Sequence, residues 1–309
     1  MEMATTSSHR LNSAEDLFDL LGFSENEIRQ AVKKDYKRYK KFKNGKYRWI
    51  EAPNDDLKLM QQRLLEYLQE YLKPPPYCMA GFKGQNNIKN AMRHRFKREV
   101  ITTDISHCFP NTQAKYVEKF FVKEFGATGK LLELLLALTT YNGYLPTGAP
   151  TSTLLVCFAH KDIFDSIYKK MQALDVDMTV FVDDITLSTH KHIGNWVVPY
   201  LKKALKTNGL HIKKAKTKRY GYRYAVVTGV HIAQCGKLSA PFEIGYSIIE
   251  ILRKKEISTM TEKELQGIIA KIGYINQFGC KKMLVTKSKA IKQLKRLNKK
   301  MRNKKNERN

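Results

Sequence analysis

The stretch Thr179–Ser188, Thr-Val-Phe-Val-Asp-Asp-Ile-Thr-Leu-Ser, constrains the fold more than any other. Two adjacent carboxylates separate two apolar, β-branched runs. Such runs read as short strands, and a tight turn between them makes a hairpin. Alternating side-chain directions at the hairpin tip predict that the carboxylates of Asp183 and Asp184 point apart. Lys and Arg number 56 against 29 Asp and Glu, a net charge of +27. Paired acids in an apolar setting therefore need a reason in this chain. Holding a divalent metal is one, because hard cations such as magnesium take oxygen ligands. An ordinary Asp-Asp β-turn is the competing reading, and what flanks the stretch decides between them.

The excess of positive charge implies a polyanionic partner, with nucleic acid first and an anionic membrane surface second. No apolar run approaches membrane-spanning length, and Met1–Arg10 lacks the apolar core of a signal peptide. Cys78, Cys108, Cys157, Cys235 and Cys280 are scattered, without zinc-ligand spacing. Their odd number argues against a disulfide framework, and a reducing cytosol is expected. A chain of 309 residues, 42% hydrophobic, fits one large domain or two to three smaller units.

Ser24-Glu25-Asn26-Glu27 has the capping-box form. It predicts a helix that turns strongly basic from Lys33 to Lys43, with Tyr36, Tyr39 and Phe42 interleaved. Basic plus aromatic suits backbone contact and base stacking, although a solvated face explains a charge run equally well. Asn44-Gly45 signals a hairpin turn before an alternating strand, Lys46–Pro53. Lys46 and Arg48 share one face of it, where they could clamp a triphosphate near a metal. Leu57, Met60, Leu64 and Leu68 form a helical core stripe over 57–72. Gly81-Phe82-Lys83-Gly84 reads as a glycine-rich turn.

Val100–Ile105 reads as a core strand carrying Asp104, an acid too costly to bury unpaired. A metal shared with Asp183 would pair it, and a helix N-cap or turn role is the alternative. Helices are expected over 114–125 and 131–138, and one apolar helix over 153–171. The small-residue loop 144–152 before that helix lets backbone approach a flat ligand closely. An amphipathic helix over 195–208 ends at Gly209, and the intensely basic 210–219 follows. Strands are expected over 222–227, 229–233 and 237–239. Thr261–Glu264 opens another helix, and 281–309 reads as a basic helix with a thin apolar set.

The order of these features resembles the palm of a reverse transcriptase. Asp104 matches the first catalytic motif, and 145–152 (Leu-Pro-Thr-Gly-Ala-Pro-Thr-Ser) the second. Phe181-Val182-Asp183-Asp184 matches the third, usually Tyr-x-Asp-Asp. Gly209–Ile212 with Lys216-Thr217 matches the fourth. Residues 46–53 and Gly81-Phe82 match the fingers segments. Five ordered motifs, covering roughly 44–278, make chance agreement a poor explanation. Within that superfamily the chain is similar to bacterial retron reverse transcriptases, of the group II intron-like branch. Asn90-Ala91-Met92-Arg93-His94 fits their Asn-Ala-x-x-His element and Val227-Thr228-Gly229 their Val-Thr-Gly element. Phe181 in place of Tyr, Thr147 in place of Gln and Cys108 in place of an aromatic depart from the pattern. None of these removes a metal ligand.

The resemblance implies an α+β right-hand polymerase: fingers, a ferredoxin-like palm with an antiparallel sheet, and a helical thumb. The implied boundaries are a basic helical extension over 1–43, fingers over 44–99, palm over 100–240 with 113–147 partly fingers, and thumb over 241–309. Asp104, Asp183 and Asp184, with the Ile105 carbonyl, would hold two magnesium ions, which manganese can replace. Lys216 would protonate the pyrophosphate. Lys46 and Arg48 would hold the triphosphate, with Lys41 or Lys43 as alternatives to Lys46. Phe109 would be the steric gate against a 2′-hydroxyl, and Gly148 and Pro150 the floor under the templating pair. Asn90, His94, Thr228, Arg253, Lys254 and Lys255 are the candidate RNA contacts. The implied reaction copies part of a cognate structured RNA into single-stranded DNA from dNTPs, leaving a branched RNA–DNA product. The implied setting is the bacterial cytoplasm, in anti-phage defence with a separate effector protein and no membrane. The rivals are a group II intron-like or diversity-generating reverse transcriptase, and a non-catalytic RNA-binding protein of the same fold.

Overall fold

Serine caps start the first two helices, because Ser13 and Ser24 each accept from the backbone three residues on while an acid there reaches back. The computed structural model describes residues 10–34, 36–43, 46–212, 214–221, 223–279 and 283–306. The chain separates into two compact units, Met1–Tyr222 and Arg223–Asn309.

In the first unit α1 (Ala14–Leu21) is followed by α2 (Glu25–Lys33). The expected continuation of a basic helix to Lys43 is corrected. Lys37–Lys43 form β1, paired antiparallel with β2 (Lys46–Ala52) from Lys37↔Ala52 to Lys43↔Lys46. Lys-Arg-Tyr-Lys-Lys-Phe-Lys offers no broad apolar stripe for a helix to bury. As a strand it sets Phe42 across from Tyr47, the kind of cross-strand aromatic pair that stabilises a hairpin. The Asn44-Gly45 turn expected from the sequence lies outside the described residues.

Next come α3 (Asp55–Tyr71), α4 (Asn87–Arg93), β3 (Glu99–Ser106), α5 (Cys108–Asn111), α6 (Ala114–Phe125) and α7 (Gly129–Thr139). The α3 stripe Leu57, Met60, Leu64 and Leu68 is fully buried, as its spacing predicts. The single helix expected over 153–171 is instead two, α8 (Ser152–Ala159) and α9 (Lys161–Gln172). They break at His160, which leaves helical geometry (φ −110°, ψ 17°). Its buried imidazole is bonded to the Thr112 hydroxyl at 3.0 Å, a partner no local pattern reveals.

The remaining elements of this unit are β4 (Asp177–Phe181), β5 (Asp184–Thr189), α10 (Val197–Lys206), β6 (His211–Ile212) and β7 (Lys218–Tyr220). Five strands form one antiparallel sheet, ordered β4-β5-β3-β6, with β7 also paired to β3. Strand β3 is therefore central and is buried along most of its length. A carboxylate near its end is held in a low-dielectric setting.

The second unit holds a three-stranded antiparallel sheet, β8 (Tyr224–Val227), β9 (Val230–Ala233) and β10 (Leu238–Ser239), in the order β10-β9-β8. Thr228 and Gly229 both have positive φ (46° and 79°), the geometry of a two-residue hairpin turn whose twist matches its strands. Helices α11 (Phe242–Lys254), α12 (Glu262–Asn276) and α13 (Leu284–Asn306) complete it. They enclose a separate core of Ile248, Met260, Leu265, Ile268, Ile272 and Ala290. The Thr261–Glu264 capping box forms as expected.

Candidate metal and nucleotide site

Sheet register brings the acids together. Asp104 on β3 stands directly opposite Asp184 on β5. On the other side of the hairpin Phe181 pairs with Asp184, so Val182 and Asp183 form the two-residue turn. Val182 has φ +59°, a conformation that is strained for a β-branched residue. The turn is held from β3, where the Ile105 N–H donates to the Asp183 carbonyl at 2.7 Å. Strict alternation fails at such a turn. The expectation that the two carboxylates diverge is corrected accordingly. Ligand oxygens of Asp104, Asp183 and Asp184 lie within 4.8 Å of one another.

Three acids this close in a mostly buried setting oppose one another's ionisation. Burial, and then the Asp104 charge, raises Asp183 above the usual carboxylate range. Burial, followed by the charges of Asp183 and Asp104, pushes Asp184 up to about 7. Lys216 and Arg48 pull the other way on Asp184. The Lys216 ammonium sits 2.6 Å from Asp104 Oδ2 and donates to it. A cluster of oxygen donors carrying excess negative charge in a chain of +27 fits a hard divalent cation. Among the described residues it is the one group of three or more His, Cys, Asp or Glu able to hold a metal.

Arg48 is exposed on β2, and Lys41 lies directly across from it. The Lys46 side chain lies outside the described residues. Ile105 is buried next to the turn. Phe109 is half-buried and packs on the core. Gly148 and Pro150 are both half-buried. A side chain at position 148 would run into the Glu51 carbonyl of β2, so protein backbone is the close neighbour that requires glycine there.

Two expected RNA contacts are corrected. Asn90 is fully buried and His94 is 1% exposed, so neither presents a surface to RNA. His94 instead bridges the acidic hairpin from behind. Its Nδ1 is 2.7 Å from the Ser188 hydroxyl on β5, and its Nε2 is 2.7 Å from the Thr179 hydroxyl on β4. Burial drives its pKa down to about 3, so the imidazole is neutral. Thr228, Arg253, Lys254 and Lys255 all lie in the second unit. Arg253 and Lys254 are exposed, Lys254 beside Glu250 at 3.1 Å, while Lys255 is held by Glu264 at 2.8 Å.

Sequence reasoning missed two supports of the site. Glu99, at the start of β3, is bonded by the Arg219 guanidinium and accepts from the Ile193 N–H at 2.7 Å. Glu51 accepts from the Tyr144 hydroxyl at 2.7 Å and faces Arg38 at 3.6 Å. Arg38 meets Glu51 across the β1–β2 hairpin, while Arg219, Ile193 and Tyr144 are distant in sequence from the acids they meet, and no local signal joins those.

Residues 33–232 match the family described as reverse transcriptase (RNA-dependent DNA polymerase). Curated relatives include the retron Se72 reverse transcriptase of Salmonella heidelberg (strain 579083-10), 27% identical over 59% of this chain and 50% of that one. The retron Ec86 reverse transcriptase of Escherichia coli is 27% identical over 63% of this chain and 61% of that one. The chain thus spans about half to three fifths of the length of these two relatives. Among solved structures, an apo telomerase from Candida tropicalis, truncated from its C-terminal domain, aligns with a TM-score of 0.44 at 12% identity. That alignment covers 73% of this chain and 60% of the telomerase.

Proposed function

Because this chain belongs to the reverse transcriptase (RNA-dependent DNA polymerase) family, we propose that it is an RNA-directed DNA polymerase acting through Asp104, Asp183 and Asp184. The observation that carries this reading is the convergence of three carboxylates on one point of the sheet, with Lys216 beside them. The acids would hold two magnesium ions, with the Ile105 carbonyl as a further ligand. When bound, such ions lower the pKa of the primer hydroxyl and neutralise the leaving pyrophosphate. Arg48 and Lys46 hold the triphosphate, with Lys41 directly across from Arg48 as a further cation. Lys216, poised at Asp104, carries the proton that the departing pyrophosphate takes up. Phe109 is the steric gate for deoxynucleotides, and Gly148 and Pro150 shape the site under the templating pair. On this reading residues 44–99 are fingers, 100–240 palm with 113–147 shared with the fingers, and 241–309 thumb.

The finer reading is a bacterial retron enzyme, supported by the retron relatives. It copies part of a cognate structured RNA into a branched RNA–DNA product in the cytoplasm, and it serves anti-phage defence with an effector protein. Shape, loops and 2′-hydroxyls are what such a protein can read in RNA, since the A-form major groove is too narrow. No helix among the described residues is long and apolar enough to cross a membrane.

Magnesium-dependent primer extension with deoxynucleotides on an RNA template tests the polymerase. Asp183→Asn should lower the rate at least about a thousandfold, or ~4 kcal/mol of transition-state stabilisation; near-normal synthesis by that variant would sink the assignment. Sequencing the nucleic acid that copurifies from the native host tests the retron. A short DNA joined to RNA through a branch cleaved by debranching enzyme is the expected product. RNA alone, with primer extension intact, would keep the polymerase and discard the retron.

A further inference from the structure

Strand β3 changes edge partner just where it carries its acid. Its ladder with β7 ends at Thr102↔Lys218, and its ladder with β6 begins at Ile105↔Ile212. Thr103 and Asp104 lie in the gap. Beside them the chain between β6 and β7 leaves the sheet and makes a 3₁₀ turn, Lys214–Lys216. Side-chain bonds close the gap. The Lys216 ammonium donates to Asp104 Oδ2 at 2.6 Å, and the Thr103 and Thr217 hydroxyls are 2.8 Å apart. Alternation sends Thr103 and Asp104 to opposite faces of β3. The consecutive residues Lys216 and Thr217 therefore grip the strand from both sides.

The two bonds differ in kind. Lys216 reaches Asp104 on a flexible stem whose side chain is 45% exposed, and holding such a stem in one geometry costs up to about 2 kcal/mol of rotamer freedom. Its partner carboxylate also belongs to the three-acid cluster. Any cation held by those acids competes for the charge that holds the ammonium. The Thr103–Thr217 bond carries no charge, and Thr103 is 2% exposed. It is therefore indifferent to the charge on the acids and sheltered from water. It fixes the residue next to Lys216 whether or not the ion pair persists.

We propose that Thr217 is a positioning residue for Lys216: through the buried Thr103 hydroxyl it keeps the lysine at the acids when the ion pair with Asp104 is relaxed. This deepens the polymerase reading and rests on Lys216 as the proton donor to pyrophosphate. In that step the primer oxygen bonds to the α-phosphorus as the bond from phosphorus to the bridging oxygen breaks. The bridging oxygen keeps the electron pair and takes a proton from Lys216, which water restores. A bond that only mended the sheet would affect every nucleotide alike, and that difference is measurable.

Single-turnover insertion is the test, with Thr217→Val, which keeps the shape without the hydroxyl, and Thr217→Ser, which keeps the hydroxyl. Thr217→Val should lower the saturated rate about tenfold or more, a share of what a placed proton donor supplies. The half-saturating nucleotide concentration should not change, and Thr217→Ser should recover most of the rate. The loss should also be graded by leaving group. It should be greatest with the β,γ-methylene deoxynucleotide, whose leaving group is the most basic, and least with the β,γ-difluoromethylene one. An equal loss across the series, or none, overturns the proposal. Thr103→Val should reproduce the effect. The double variant removes both hydroxyls and orphans neither, so it carries the same test if a single variant does not fold. A second readout needs no catalysis: acetylation of Lys216 in the intact protein with magnesium present, followed by peptide mass spectrometry. It should be faster in Thr217→Val than in the parent, with Lys218 unchanged; unchanged labelling of Lys216 overturns the proposal. If the parent inserts no nucleotide, the polymerase reading falls, and the labelling still decides whether Thr217 holds Lys216.

Discussion

His94 shows how a single buried residue supports the site without touching it. A neutral imidazole gives one hydrogen bond and takes one, and both hydroxyls it meets belong to the acidic hairpin. Protonation would place a charge in the core. Asp177, Arg93 and Lys97 face it, but burial dominates and holds the pKa at about 3. His160 is lowered to about 4 by burial alone. The unfolded chain therefore binds more protons at these two sites below the ordinary histidine pKa of about 6.5. Their contribution is intact above that pH and is lost as pH falls toward 4 and 3, by up to about 1.4 kcal/mol per pH unit for each. Asp184, pushed up to about 7, titrates in the opposite sense over the same range, so the decline is read as the stability difference between the parent and His94→Ala in denaturant melts from pH 7.5 down to 4.5. His94→Ala should cost about 2–4 kcal/mol at pH 7, since two buried hydroxyls lose their partner, and should flatten the decline. A slope that His94→Ala leaves unchanged would show that the histidine does not titrate as argued.

At the scale of elements, the decisive contact joins the 144–150 loop to β2. Tyr144 bonds Glu51, and Gly148 lies against the Glu51 carbonyl. One loop therefore fixes the root of the hairpin that carries Arg48. Gly148→Ala forces a methyl group onto rigid backbone, not onto a side chain that can swing away. It should lower stability by about 1–3 kcal/mol, as overpacking does, read as a shift in the denaturant midpoint at constant slope. A wild-type midpoint would mean that β2 can recede. The turn at Val182 makes a complementary point. Its strained φ is held by the Ile105–Asp183 hydrogen bond, so the turn geometry depends on β3 and not on the turn residues.

For the whole molecule, charge is the governing quantity. Helix α13 contains no acidic residue, and β1 is five parts Lys and Arg to two parts aromatic. Binding of single-stranded RNA should fall steeply with salt, with a log–log slope of about −3 or steeper if some five phosphates are contacted. A flat dependence would contradict a phosphate-led interface. Much of the design was legible before any coordinates. The acid positions, the core stripes of α3 and α12 and the capping boxes at Ser24 and Thr261 follow from local periodicity. Such features need only neighbours in sequence. Tertiary structure alone decided the rest. It made Lys37–Lys43 a strand, because β2 offered a partner that an isolated helix lacks. It split the helix at His160, where Thr112 holds the imidazole. It turned His94 inward, and it drew Asp183 and Asp184 onto one point with Asp104. Apart from the β1–β2 hairpin, whose strands are neighbours in the chain, each of those outcomes depends on a partner distant along the chain, and only the fold brings such partners within reach.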